Sequence, residues 1–417
     1  MKRATSLAIL LLLLSPQIQA AESPEPITYS DIDAPPHLYK TRTPRDRFTR
    51  MMERFDSDPA LLDRSSEMAF LRSFLKALDI SPSSQTLVFS TTSLQLSFIS
   101  PANPRAIYFN EDIYVGYIPG GRIEIVGLDP ELGGIFYIFD IPHDQRALKF
   151  DRSNRCMNCH AGAETGFVPG LVMESVIPGP TGGSLDSFRK GRSGHGLPLS
   201  DRFGGWHVTG AGAFTNHLGN LTGRMNRGDI LKISNQPGTR FDFANYPVPT
   251  SDLLPHLLHE HQLGFVNRVV EASYRARTAL HQSGGKLTPE QNAELDEQSR
   301  IVTRYLLFAD EAALPGGGIE GDANYKTDFL RNRRPAASGA ALKDFDLRAR
   351  LFKNRCSYMI YSPVFEGLPA PMKERIYERL AAALTSKDRD YDYLPAPEKK
   401  TIREILKATL NDLPVNW

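Results

Sequence analysis

The chain has 417 residues, 41% of them hydrophobic and 23% charged, enough at roughly 100 to 200 residues per domain for two or three ordinary domains with real cores. Its 49 basic and 48 acidic residues leave a formal charge of +1. That balance argues against a nucleic-acid binder relying on a strong basic field, and against an acidic disordered tail.

Residues 1–20 read as a secretory signal, with Lys2 and Arg3 as the positive end, Leu7 to Leu14 as the apolar stretch and Ala20 or Ala21 at the cleavage site. The apolar stretch is too short for a membrane span, and no other run approaches the roughly 20 residues a span needs. An exported, soluble chain is expected, periplasmic or secreted, in an oxidising compartment. Residues 21–44 are rich in proline and polar side chains, which predicts an extended leader adding little to the core.

From Arg45 to Ile80 the spacing of Met68, Leu71, Leu75 and Leu78 predicts one or two amphipathic helices. The composition then turns β-rich, giving expected strands at Thr86 to Ser90, Arg105 to Phe109, Ile113 to Ile118, Arg122 to Val126 and Gly134 to Ile141, with a hairpin turn at Pro119-Gly120-Gly121. This is the pattern of an antiparallel sheet rather than a dinucleotide-binding unit.

The most informative segment follows: Cys156-Met157-Asn158-Cys159-His160, the C-x-x-C-H spacing that attaches a c-type haem. Two thiols add across the haem vinyl groups, the two-residue spacer matches their separation, and the adjacent imidazole of His160 reaches the iron. A structural zinc site wants a second ligand pair, which the chain lacks. A redox-active disulfide shares the spacing, but the flanking Asn154-Arg155 and Ala161-Gly162 lack an obvious strand-to-helix setting. Cys356 has no partner once the pair is used, and its apolar neighbours suggest a buried thiol.

Beyond the motif, Leu171 to Ile177 reads as a short strand and Pro178 to Gly196 as a long mobile loop. The glycines of that loop fit no phosphate-binding pattern; Arg189, Lys190 and Arg192 are solvated or form a docking patch for an acidic redox partner. After Pro247-Val248-Pro249 the chain reads as helical at Ser251 to Gln282, Pro289 to Asp310, Leu342 to Ser362, Pro371 to Ser386 and Pro397 to Leu413. Thr288-Pro289-Glu290-Gln291 has the composition of a capped helix start. The fold class is therefore α+β: an antiparallel sheet in the N-terminal half, a haem-bearing middle segment and a mainly helical C-terminal third. The expected units are a haem-attachment domain over 45–246 and a helical domain over 250–417 packing on the haem side.

Iron held by His160 has a sixth position, and what fills it separates electron transfer from chemistry. In the helix after Pro255, His261 falls on the apolar face of Leu254, Leu257, Leu258, Phe265 and Val269, which makes it the first distal candidate. His256, His259 and Glu260 lack the H-E-x-x-H order of a zinc protease and are expected to face water. His217, in a glycine- and aromatic-rich segment starting at Arg202, is the second candidate; Met173 and Met225 rank below both. Arg152, Arg155, Arg202 and Trp206 are the nearest suppliers of cationic or hydrogen-bonding partners for haem propionates.

The chain resembles an uncharacterised family of large, exported mono-haem c-type cytochromes of environmental bacteria. The resemblance rests on Tyr108-Phe109-Asn110, Tyr114-Val115-Gly116, the haem pentapeptide, Arg202 to Gly210 with His217, Gly219 and Asn220, and Glu260-His261-Gln262. It departs at Gly212, where the family has a further histidine, and at His207, where a tyrosine is common. It implies one covalent haem c and a function for His217 and His261. The expected function is periplasmic electron transfer between protein partners. The alternative is a haem enzyme reducing peroxide or oxidising a small substrate at an open sixth position, with His207 or His217 and Arg202 on the distal side; the length, far beyond what holding one haem requires, keeps that alternative open.

Overall fold

The computed structural model describes residues 31–142, 148–188, 193–212, 214–385, 389–415 and 417. The expected signal segment and the triplet Arg189, Lys190 and Arg192 lie outside the described residues. Two short helices open the fold. The Asp46 carboxylate accepts the Thr49 N–H at the start of α1 (Arg47–Ser57), and the Ser66 hydroxyl accepts the Ala69 N–H at the start of α2 (Glu67–Ala77). Phe48, Phe55, Phe70 and Phe74 carry their buried faces.

Five strands follow, β1 (Thr86–Val88), β2 (Arg105–Phe109), β3 (Ile113–Tyr117), β4 (Ile123–Asp129) and β5 (Gly133–Phe139), where the alternating composition predicts them. Gly120, at φ +75, makes the tight turn between β3 and β4. β6 (Asp151–Arg152) leads into the four-residue helix α3 (Met157–His160). β7 (Val176–Pro178) and β8 (Ser184–Ser187) pair inside the segment expected to be strand and then loop. Next come β9 (Trp206–His207) and the hairpin of β10 (Leu221–Asn226) and β11 (Asp229–Ser234). The main sheet is antiparallel in the order β6-β5-β4-β3-β2-β1-β9.

Register divides this sheet into two unlike faces, because cross-strand partners share a face and successive residues alternate. One face carries Tyr108, Val115, Ile125, Tyr137 and Phe139, all buried, and α1 and α2 cover it: Phe48 lies 5.0 Å from Tyr137 and Phe74 5.5 Å from Phe139, ring to ring. The other face carries two rows. Phe109, Tyr114, Val126 and Phe136 pair in one, and Ile107, Gly116, Glu124 and Ile138 in the next. Ile107, Glu124, Val126 and Ile138 on this face are only half-buried, although β2, β4 and β5 are interior strands.

The C-terminal part is helical: α4 (Leu253–Gln282), α5 (Pro289–Leu306), α6 (Ala323–Leu330), α7 (Pro363–Glu366), α8 (Ala370–Thr385) and α9 (Ala396–Thr409). α5 starts on the capping box read from Thr288 and Gln291. Two expectations fail. Residues 342–357 form turns, not helix, because the Asp344 carboxylate accepts the Ala341 N–H, Asp346 accepts those of Arg348 and Ala349, and Leu347 sits at φ +58; such local bonds compete with a helical ladder. The leader also contributes to the core: Ile32, His37 and Tyr39 are buried, and the Tyr39 hydroxyl donates to the Gly134 carbonyl at 2.7 Å. Most of the buried apolar residues form one cluster running from Ile32 to Trp417. Among the described residues no helix is long and apolar enough to cross a membrane.

Candidate functional site

α4, 30 residues and so about 45 Å long, is buried on nearly all sides over its first two-thirds. One side meets the half-open sheet face, another α5, α7 and α8. The expectation that His256, His259 and Glu260 face water is therefore wrong: all three are buried. A helix enclosed all round has no wet face for periodicity to reveal.

Most buried polar side chains of α4 have partners. His256 Nε2 donates to the His207 carbonyl at 2.9 Å; Glu260 faces Arg202 at 3.3 Å. Gln262 accepts from the Tyr114 hydroxyl and donates to that of Tyr358; Asn267 bonds both the N–H and the carbonyl of Leu171 at 2.8 Å. His261 has both ring nitrogens engaged, Nδ1 with His195 Nδ1 and Nε2 with the Ser357 hydroxyl, each at 2.8 Å. It is a hydrogen-bonded core residue, with no lone pair left for a metal. His259 differs. Its ring stacks on Phe109 at 4.8 Å, lies 5.7 Å from Tyr114 and stands edge-on to Trp206, yet among the described residues its buried Nδ1 has no hydrogen-bond partner. An unpartnered buried polar group costs about 1–3 kcal/mol, and in a native structure it asks for a ligand.

The Cys-x-x-Cys-His segment abuts the same sheet face. Cys159 is exposed, Cys156 half-buried, and both thiols are free. His160 lies 4.4 Å from the Phe136 ring, and its Nδ1–H donates to the Gly170 carbonyl at 2.9 Å. That bond fixes the tautomer and leaves Nε2, which carries no hydrogen bond, as the nitrogen with a free lone pair. Gly170 is itself wedged: a Cβ there would stand 2.4 Å from Asn267 Oδ1. Thus α4, through Asn267 and the Gly170-Leu171 backbone, holds His160 from behind.

Along the register His160 stands at Phe136 on β5 and His259 at Tyr114 and Phe109 on β3 and β2, with the half-buried Val126 of β4 between them. Burial lowers His160 to about 4 against the pull of its Gly170 bond, and lowers His259 to about 3 with help from His256; the charge of Arg105 acts on both. Both rings are neutral at neutral pH. Arg105 pairs with Glu124 at 2.8 Å, and Glu124 also accepts from Ser93 and Gln95. Burial works against the Glu124 carboxylate, but Arg105 and these hydrogen bonds outweigh it and keep its pKa below the usual value.

Where this face reaches solvent a groove of about 720 Å3 opens, lined by Leu94, Gln95, Phe98, Arg122, Ile138 and Arg155 among others. Its size falls within the range of small-molecule sites. Leu94, Leu96 and Phe98 are 45–57% exposed at its rim, a cluster of apolar surface larger than isolated exposed side chains make.

The other expected site residues are placed elsewhere. Arg155 is exposed and lines the groove. Arg152 pairs with Tyr137 and so belongs to the opposite, sealed face, where its guanidinium donates to the Tyr39 and Arg42 carbonyls. Arg202 is buried and bound to the Leu197 and His195 carbonyls and Glu260. Trp206 lies on the half-open face, its Nε1–H donating to the Glu174 carbonyl. His207 pairs with Leu87 on the sealed face. His217 Nδ1 accepts the Gly219 N–H, which leaves Nε2 protonated and without a lone pair. Met173 is buried and Met225 exposed on the β10–β11 hairpin. Sequence reasoning missed Gln95, Arg105, Arg122, Glu124 and His259. Arg105 and Glu124 carried the one available signal, charges inside otherwise apolar strands. Among the described residues no three His, Cys, Asp or Glu side chains converge as a metal cluster, so a metal ion here would take fewer protein ligands.

No protein-family model, curated protein or solved structure matches the chain.

Proposed function

We propose that the protein is an exported c-type cytochrome carrying one covalent haem, with periplasmic electron transfer between protein partners as its role. The observation that carries this reading is His160, whose Nδ1–H is held by the Gly170 carbonyl and whose Nε2 is unbonded, in one helical turn with two free thiols and just after Arg155 of the groove lining. A proximal haem ligand needs that polarity of the ring. Cys156 and Cys159 would hold the haem vinyl carbons, His160 the iron, and Leu94, Phe98 and Ile138 the apolar macrocycle, with Arg122 and Arg155 near enough in the groove to pair with propionates. The bound group supplies a one-electron couple. The protein's part is to hold the ring, shield one side of it with the sheet, and leave an edge toward the apolar rim, where a partner can approach.

A dithiol oxidoreductase fits less well. Its attacking cysteine needs a lowered pKa, whereas burial raises that of Cys156. Of the distal residues expected for the peroxidase-like alternative, His207 faces the other side of the sheet and Arg202 is bound to Glu260, which leaves His217.

The test is the mass of the denatured chain after expression in a bacterium that exports and matures c-type cytochromes. The expected result is a gain of one haem, abolished in Cys156→Ser/Cys159→Ser. A wild-type chain carrying no covalent haem would refute the reading. Recovery of the protein in the periplasmic fraction, shortened by about 20 residues, tests export.

A further inference from the structure

We propose that His259 is the second axial ligand of the haem iron, facing His160 across the half-open sheet face. The inference rests on the haem reading above and deepens it by naming the group that closes the sixth position.

Three observations converge on this residue. His259 and His160 face the same side of the sheet, one against Phe109 and Tyr114 and the other against Phe136. Register places those contacts on β2, β3 and β5 of a continuous ladder, so the two rings flank the half-buried Val126. Strand spacing of about 4.8 Å puts Tyr114 and Phe136 roughly 10 Å apart, with the half-buried Val126 between them. Finally, among the described residues the His259 ring makes no hydrogen bond and its Nδ1 is buried, whereas its neighbours Glu260, His261 and Gln262 are engaged.

The competing nitrogens are ruled out by geometry. His261 is bonded at both nitrogens, His217 accepts an N–H at Nδ1, and His207 lies on the far side of the sheet. His256 donates its Nε2–H to a backbone carbonyl, and its ring packs between Phe203 and Trp206 instead of over Tyr114. His259 also comes with a rigid mount: its ring is stacked on Phe109 and carried by an enclosed helix.

The experiment is the optical spectrum of the haem-loaded protein, oxidised and reduced, with and without carbon monoxide, for the wild type and for His259→Ala, His259→Met and His217→Ala. The wild type and His217→Ala are expected to be low-spin and unreactive toward carbon monoxide. His259→Ala should keep its covalent haem on the denatured chain but turn high-spin, bind carbon monoxide, and return to low-spin when imidazole is added. His259→Met should stay low-spin with a raised reduction potential, as methionine–histidine ligation gives. A wild type that is high-spin as isolated overturns the inference, and so does a His259→Ala spectrum matching the wild type. These outcomes are separate from failure of the underlying reading, which would show as a wild-type chain with no covalent haem.

Discussion

The two faces of the seven-stranded sheet are built from alternate residues of the same strands, and they differ in how they are closed. On the sealed face, Tyr137 and Phe139 meet Phe48, Phe70 and Phe74, and the Tyr137 hydroxyl has partners in Asp46 and Thr49; His207 on the edge strand β9 is the exception, its ring nitrogens buried and unbonded. The other face meets α4, with His160 of α3 and Tyr325 of α6 touching it at Phe136 and Phe109. It keeps Ile107, Glu124, Val126 and Ile138 half-buried, and the imidazoles standing over it, His160 and His259, each have a nitrogen without a partner. Side chains that complete each other mark structure; side chains left incomplete beside a groove mark the place where something else binds.

Substitution can sharpen or break this contrast. On the sealed face, Phe139→Ala should cost about 3–5 kcal/mol in denaturant unfolding, while Val126→Ala on the open face should cost less than half as much. Equal losses would mean that the open face is packed like the other. Removing Arg202 from its buried pair with Glu260 should also cost about 3–5 kcal/mol and leave the optical spectrum of the loaded protein in place. A changed spectrum would instead return Arg202 to the site.

Acid gives the next effect. Burial lowers His207, His256 and His261 to about 3, whereas the unfolded chain binds those protons near 6.5. Protonation thus favours unfolding, so the stability from these groups is complete above about pH 6.5 and falls as pH drops toward 3, by roughly 1.4 kcal/mol per pH unit per group. Denaturant midpoints measured between pH 7 and 4 check this, and His261→Gln should flatten the slope. A flat profile would show these rings to be solvated. Smaller again, Arg152→Ala should cost about 1–2 kcal/mol for its two carbonyl bonds. Arg155→Ala should stay within about 0.5 kcal/mol, and a shift in reduction potential caused by Arg155→Ala but not by Arg152→Ala would place the haem on the open face.

What could be read in advance follows from the range of the physics. The strands from Thr86 to Phe139, the Gly120 turn and the Thr288 cap depend on neighbours a few residues away, and they stand where composition and spacing put them. The Cys-x-x-Cys-His spacing is equally local. His259 was hidden because helical periodicity assumes a wet face, and α4 has none along the stretch that matters. The same reasoning chose His261, which is apolar by its neighbours on the helix wheel and polar by its real partners His195 and Ser357, 66 and 96 residues away. Arg152 and Arg155, three residues apart, looked equivalent. Only cross-strand register, fixed by the pairing of β6 with β5, shows that one belongs to the sealed face.

The strut behind His160 also imposes an order in time. Asn267 bonds to Leu171 across 96 residues of chain, so the pentapeptide is made well before the helix that will hold it. At a synthesis rate of about 5–20 residues per second the interval is roughly 5 to 20 s. During it the segment that carries the two thiols and His160 lacks the Asn267 bonds that later hold it. Docking of α4 then fixes the Gly170-Leu171 backbone that holds the imidazole; under the haem reading proposed above, covalent attachment comes before that closure.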